Sequence, residues 1–181
     1  MRRNALRISI AMAAALCLPS LVAAQAATLK DVQVADVQNM KDKFVGLAGA
    51  FTAAQYDWRP MEGVRSVRDV LALIVAECHQ FPVAWGAQPP ARAASGFGPE
   101  IQRAAALSQM DMTRELGLAF DHLSEVVSGM DQGARRADSQ YFGRSMPVEA
   151  NIMTAMADMH EHLGQLIAYA RSNEVVPPWS R

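Results

Sequence analysis

Asp158, His162, Gln165 and Tyr169 follow one another at spacings of four, three and four. On a helix such residues form one polar stripe. Each precedes an apolar position by one residue (Met159, Leu163, Leu166, Ala170), so the stripe stands about 100° around the helix from a core-facing one. An earlier segment repeats the pattern: Leu73, Glu77 and Gln80 precede Ile74, Cys78 and Phe81. A polar stripe beside a core stripe is where a cleft between packed helices finds its ligands. Carboxylates with an imidazole can ligate a divalent ion. The plainer use is local, a hydrogen-bonded pair between Asp158 and His162 four residues apart.

Other residues support less chemistry. His160 lies about 200° from both Asp158 and His162 and is expected in solvent. His160-Glu161 opens a zinc-protease pattern that would need histidine at position 164, where Gly164 stands. Met153, Met156 and Met159 beside two histidines could bind Cu(I), but Met156 and Met159 fall on the core stripe, where methionine is a common filler. His79 leaves the Leu73–Glu77 stripe and is expected to face the surface or a linker. His122 is open between cleft and solvent. Cys78 lies on an apolar stripe and reads as a small buried hydrophobe. The chain shows no Gly-rich phosphate loop.

These residues need long helices to position them. Four segments carry apolar residues at alternating spacings of three and four. They run roughly 29–55 (Val37, Met40, Phe44, Leu47, Phe51, Ala54), 66–85 (Val67, Val70 or Leu71, Ile74, Cys78, Phe81, Trp85), 108–130 (Met112, Leu116, Ala119, Leu123, Val126, Met130) and 147–172 (Ile152, Met156, Met159, Leu163, Leu166, Ala170). This spacing keeps one stripe on one helix face, and four such helices bury their stripes together as a bundle. Ser66 with Asp69 marks the second start as a capping box, Pro82 is a place to kink or end that helix, and Pro147 suits a first helical turn. No window alternates with period two, so the class is all-α without an expected sheet. The connection over 57–65 is short. That over 86–107 is long enough to run the length of the bundle and allow a parallel pair. The polar connection over 130–146 is the third.

His162-Leu163-Gly164-Gln165 and Tyr169-Ala170-Arg171, closed by Pro177-Pro178-Trp179-Ser180, resemble the final helix of the DinB-like superfamily. Arg65-Ser66 and the stretch Tyr56-Asp57-Trp58-Arg59-Pro60 are similar to that family as well. The resemblance implies an up-down-down-up four-helix bundle with a divalent metal on three histidines, one from the second helix and two from an H-x-x-x-H in the fourth. Those positions fall on Leu73, Asp158 and His162, so one histidine of three is present. It implies a degenerate metal site, with no bound cofactor as the first expectation. A divalent metal on His162, Asp158 and Glu77 is the alternative, in a cleft also lined by Leu73, Gln165 and Tyr169. Such a one-histidine, two-carboxylate set suits manganese or iron better than zinc, although Glu77 lies a turn beyond position 73. The function expected is a binding module for a small molecule or a protein partner. The alternative is a metal-dependent thiol transferase or hydrolase, as in the wider family.

The N-terminus reads as a signal peptide over 1–24. Arg2, Arg3 and Arg7 precede an apolar run from Ile8 to Val22, then small residues at Ala23, Ala24 and Ala26. The run is shorter than the roughly 20 residues a membrane span needs. A retained anchor and lipidation at Cys17 are the weaker readings. The domain is then 25–181, periplasmic or secreted, in a bacterial source if the resemblance holds. Loss of three arginines takes the formal charge from -1 to -4, which does not suit nucleic acid. Cys78 then has no internal disulfide partner. A homodimer is compatible with the helix faces.

Overall fold

The structure, a computed structural model, describes residues 26–180. Residues 1–24, expected to be a signal peptide, lie outside them. Four long helices form the bundle: α1 Leu29–Ala50, α2 Val67–Ala84, α4 Gln109–Gly129 and α6 Val148–Ser172. Between them lie α3 Phe97–Ala105, α5 Gln132–Arg136 and the strands β1 Asp138–Tyr141 and β2 Arg144–Pro147. Among the described residues no helix is long and apolar enough to cross a membrane.

Local chemistry sets the boundaries. Thr28 with Asp31 and Ser66 with Asp69 form reciprocal capping boxes, and Ser108 accepts from the Asp111 N–H, each satisfying amides that a first turn leaves free. α1 ends at Ala50, and a short 3-10 turn, Ala54–Asp57, follows. Ala54 therefore leaves the stripe and is exposed. α2 runs through Pro82 to Ala84. Pro147 ends β2 and caps α6 instead of joining its first turn.

Contacts at the helix ends give the directions. Lys30 Nζ donates to Ser128 O (3.3 Å), and Gln109 donates to Phe51 O, so α1 and α4 are antiparallel. Arg68 Nη1 reaches Leu107 O (2.9 Å), which puts the starts of α2 and α4 together and makes that pair parallel. Tyr169 OH donates to Arg65 O (3.0 Å), so α6 runs against α2. Asp36 in the first half of α1 meets His160 midway along α6 at 2.7 Å, and Gln55 just past α1 meets Asn173 O just past α6 at 3.3 Å, so these two run parallel. The order is up-down-down-up, as expected.

The stripes meet in the core, where Phe44 stacks on Phe120 at 5.6 Å. Leu123 and Leu163 are both buried there, and Val127 takes the inward place expected of Val126. Pro178 lies against α1, where a Cβ added at Gly46 would come within 3.3 Å of its Cγ. Trp179 sits beside Lys43, whose Nζ is 5.9 Å from the ring centroid.

Two connections carry structure that periodicity did not foresee. The long one folds into α3, which packs on α2. The third holds α5 and an antiparallel ribbon pairing Asp138 with Pro147 and Tyr141 with Arg144. Its turn is Phe142–Gly143, with φ of 45° and 81°. Positive φ at both residues is the tight turn that matches strand twist. The expected absence of a sheet is corrected to one small ribbon on an all-α bundle.

Candidate functional site

α2 and α6 carry their polar stripes into one cleft. Glu77 is only 2 % exposed, and its Oε1 is 3.6 Å from His162 Nε2. One ligand atom from each of Glu77, Asp158 and His162 lies within 4.8 Å of the others. The turn of offset that argued against Glu77 is absorbed by the antiparallel crossing, which brings Glu77 level with the Asp158–His162 pair. Leu73, one turn earlier, is a buried apolar wall.

The expected pair between Asp158 and His162 is corrected. Asp158 instead lies across the cleft beside Glu77, their ligand atoms within 4.8 Å, while His162 Nδ1 faces Gln165 Oε1 at 3.4 Å. Gln165 Nε2 donates to Tyr169 OH (2.9 Å), and that hydroxyl donates to Arg65 O. Trp58 meets the Tyr169 ring edge-on at 5.2 Å. Gln165 and Tyr169 thus close one end of the cleft through a hydrogen-bonded chain that orients His162.

Burial, then the Asp158 charge, push the Glu77 carboxyl up to about 9, with Arg65 pulling the other way. Two carboxyls in one buried place cannot both ionise cheaply. Glu77 therefore keeps its proton at neutral pH. Its Oε2 is buried without a partner, and an unmatched buried acceptor is costly. That orphan oxygen, a second carboxylate and an imidazole form a donor set that fits a divalent cation.

The opposite end carries a residue that periodicity did not reveal. Tyr141 of β1 packs on Phe81, with ring centroids 5.5 Å apart, and Phe81 is one turn beyond Glu77. Burial, then the charges of Asp158 and Glu77, push its hydroxyl up to about 12 against Arg144. The only sequence signal was an aromatic residue within a polar connection.

The remaining candidates lie elsewhere. His160 is exposed and bonded to Asp36, whereas His162 is mostly sheltered. Met159 is core while Met153 is 53 % exposed, so the methionine run does not converge on one point. Cys78 is fully buried, and burial holds its thiol well above its ordinary value. His79 does face the linker, but from full burial. Its Nδ1 meets Glu100 Oε1 at 2.7 Å and its Nε2 meets Arg92 Nη2 at 3.4 Å. Arg103 Nη2 bridges Glu100 Oε1 (2.6 Å) and Glu115 Oε1 (2.9 Å). His79, Glu100 and Glu115 are close enough to ligate a metal, but the two guanidiniums already neutralise the carboxylates, so this cluster ties α3 to the bundle. His122 turns towards it, its ring 6.0 Å from that of His79.

No family model and no curated protein matches the chain. Solved structures do. YjoA of Bacillus subtilis, a DinB-like protein, superposes with a TM-score of 0.63 at 16% identity, covering 83% of this chain and 97% of its own. A DinB-like protein of Bacillus cereus gives 0.62 at 17%, covering 81% and 93%. YfiT of Bacillus subtilis, described as a probable metal-dependent hydrolase with an unusual four-helix bundle topology, gives 0.63 at 12%, covering 84% and 93%. Identities this low speak for the fold, and the fold is that of the DinB-like proteins.

Proposed function

We propose that this DinB-like bundle is an exported cation-binding module, with Glu77, Asp158 and His162 as its binding groups. The observation that carries the reading is the buried, unpartnered Oε2 of Glu77 beside the Asp158 carboxylate and the His162 imidazole. The Arg2–Ala26 signal pattern supports export. Mass spectrometry of exported protein should find a chain beginning near Gln25, and an intact Met1 would refute this.

A divalent ion would be held by the two carboxylates and the imidazole, and would supply Lewis acidity and an activated water. To enter, it must displace the proton on Glu77. With that carboxyl near 9, the competition weakens binding roughly 100-fold at pH 7, tenfold for each unit. The protein as purified should therefore contain well under one metal ion per chain. Calorimetric titration with Mn²⁺ should show affinity rising about tenfold per unit between pH 6 and 8. Glu77→Gln should remove both the binding and this slope. Tight, pH-independent binding that survives Glu77→Gln would reject the reading.

A second reading is a metal-dependent thiol transferase or hydrolase. It is supported by the likeness to YfiT and by the protonated Tyr141 hydroxyl beside the carboxyls. Turnover of thiol or ester substrates only with added Mn²⁺, lost in Asp158→Asn, would promote it.

A further inference from the structure

The ribbon places an aromatic lip beside the acidic cleft. Asn151 Nδ2 donates to Ser139 Oγ (2.9 Å) and Gln140 O (3.2 Å), which fixes β1 to α6 two turns before Asp158. Tyr141 on Phe81 fixes it to α2 one turn beyond Glu77. The ribbon therefore covers the end of the cleft nearest the carboxyls. Its tip is Phe142, 74 % exposed at a φ of 45°. Such a turn prefers asparagine or glycine, so the fold alone does not call for phenylalanine here. The ring stands edge-on to Tyr141 at 4.8 Å and tilted against Phe97 at 6.2 Å. Most of the residue stays open to solvent at the tip of the ribbon.

Charge identifies the kind of ligand. Asp158 and Glu161 make the surroundings of Tyr141 negative at neutral pH, where Glu77 keeps its proton, and Arg144 opposes them. Arg144 also shows what the ring holds, since its Cζ lies 5.9 Å from the Tyr141 centroid. Inside the cleft, Glu77 Oε2 is an acceptor without a donor. Carboxylates behind an aromatic wall stabilise an alkylammonium ion, whose charge spreads over its C–H groups. A hydrated metal ion gains nothing from the wall.

We propose that the ribbon makes the cleft a site for a small organic ammonium ion, its N–H directed to Asp158 and Glu77 and its alkyl groups against Tyr141 and Phe142. This rests on the cation-binding reading above and names its ligand class.

The test is an NMR titration of the full mature chain with trimethylammonium, with neutral tert-butanol of similar shape as control and Mn²⁺ measured alongside. Trimethylammonium should bind and tert-butanol should not. Phe142→Ala, at an exposed site, should weaken trimethylammonium about 3- to 30-fold and leave Mn²⁺ unchanged, and Tyr141→Leu should weaken trimethylammonium at least as much. Asp158→Asn should weaken both ions. If Mn²⁺ binds and trimethylammonium does not, the ligand class is wrong while the cation cleft stands. If neither ion binds, the cation-binding reading itself falls. Trimethylammonium binding that ignores both aromatic substitutions would remove the ribbon from recognition.

Discussion

Glu77 on α2 and Asp158 on the antiparallel α6 put two acids face to face across the cleft, their ligand atoms within 4.8 Å. This has a stability consequence. Glu77 is raised from 4.5 to about 9 on folding, so the folded state binds the proton more tightly than the unfolded chain. Its contribution is fully present below pH 4.5 and declines as pH rises towards 9, at up to about 1.4 kcal/mol per unit. Glu77→Gln cannot ionise and should flatten that decline. Urea denaturation between pH 5 and 9 checks this, and parallel profiles for the two proteins would contradict it.

The three-histidine set that the resemblance implies can be tested at its expected positions. Three imidazoles each offer a lone pair at about 2.1 Å, whereas Leu73 offers none. Leu73→His with Asp158→His restores the pattern and removes the charge that holds the proton on Glu77. Zinc affinity measured by calorimetry should rise in the double variant beyond either single change. A double variant no better than the original protein would mean that these positions do not face one point.

The helices were legible because alternating spacings of three and four need only one chain segment to be read. The Ser66–Asp69 box is likewise local. Glu77 was harder to place. Its partnership with Asp158 depends on how α2 slides along α6, and helix register is set by core packing between segments. The ribbon escaped notice because Tyr141-Phe142-Gly143-Arg144 lacks the Asn-Gly signal and each strand has four residues. The aromatic lip followed the same fate.

Leu123 and Leu163 sit on facing stripes, 2 % and 4 % exposed. Truncating either removes buried methyl groups and leaves a cavity in the bundle, so Leu123→Ala and Leu163→Ala should each cost roughly 2–5 kcal/mol. Chemical denaturation measures it. A neutral outcome for both would mean that the core is not where these stripes meet.

The two imidazoles midway along α6 should differ in reactivity. His160 is exposed against Asp36, while His162 lies against Glu77 and Gln165 in the cleft. Diethyl pyrocarbonate should modify His160 faster in the folded protein, and denaturant should remove the difference. Equal rates in the folded state would show that the cleft is open to reagent.

The network around His79 should hold α3 in place. Burial raises the Glu100 carboxyl, but hydrogen bonds from Arg103, the Ala94 N–H and His79 outweigh this and hold it below its ordinary value. Glu100→Ala would leave the buried His79 without its carboxylate and Arg103 with Glu115 alone, a loss of about 3–5 kcal/mol for a broken buried pair. His79 adds an acid-side dependence. Burial lowers its pKa, with Glu100 opposing, so its contribution is present above 6.5 and is lost as pH falls through the lower folded value. Arg92 can donate to Nε2 only while that nitrogen is unprotonated, so acid also breaks this contact. Hydrogen exchange should show α3 amides losing protection in Glu100→Ala, while the cleft face of α6 stays protected. Unchanged protection of α3 would mean that apolar packing on α2 holds it without the ion pairs.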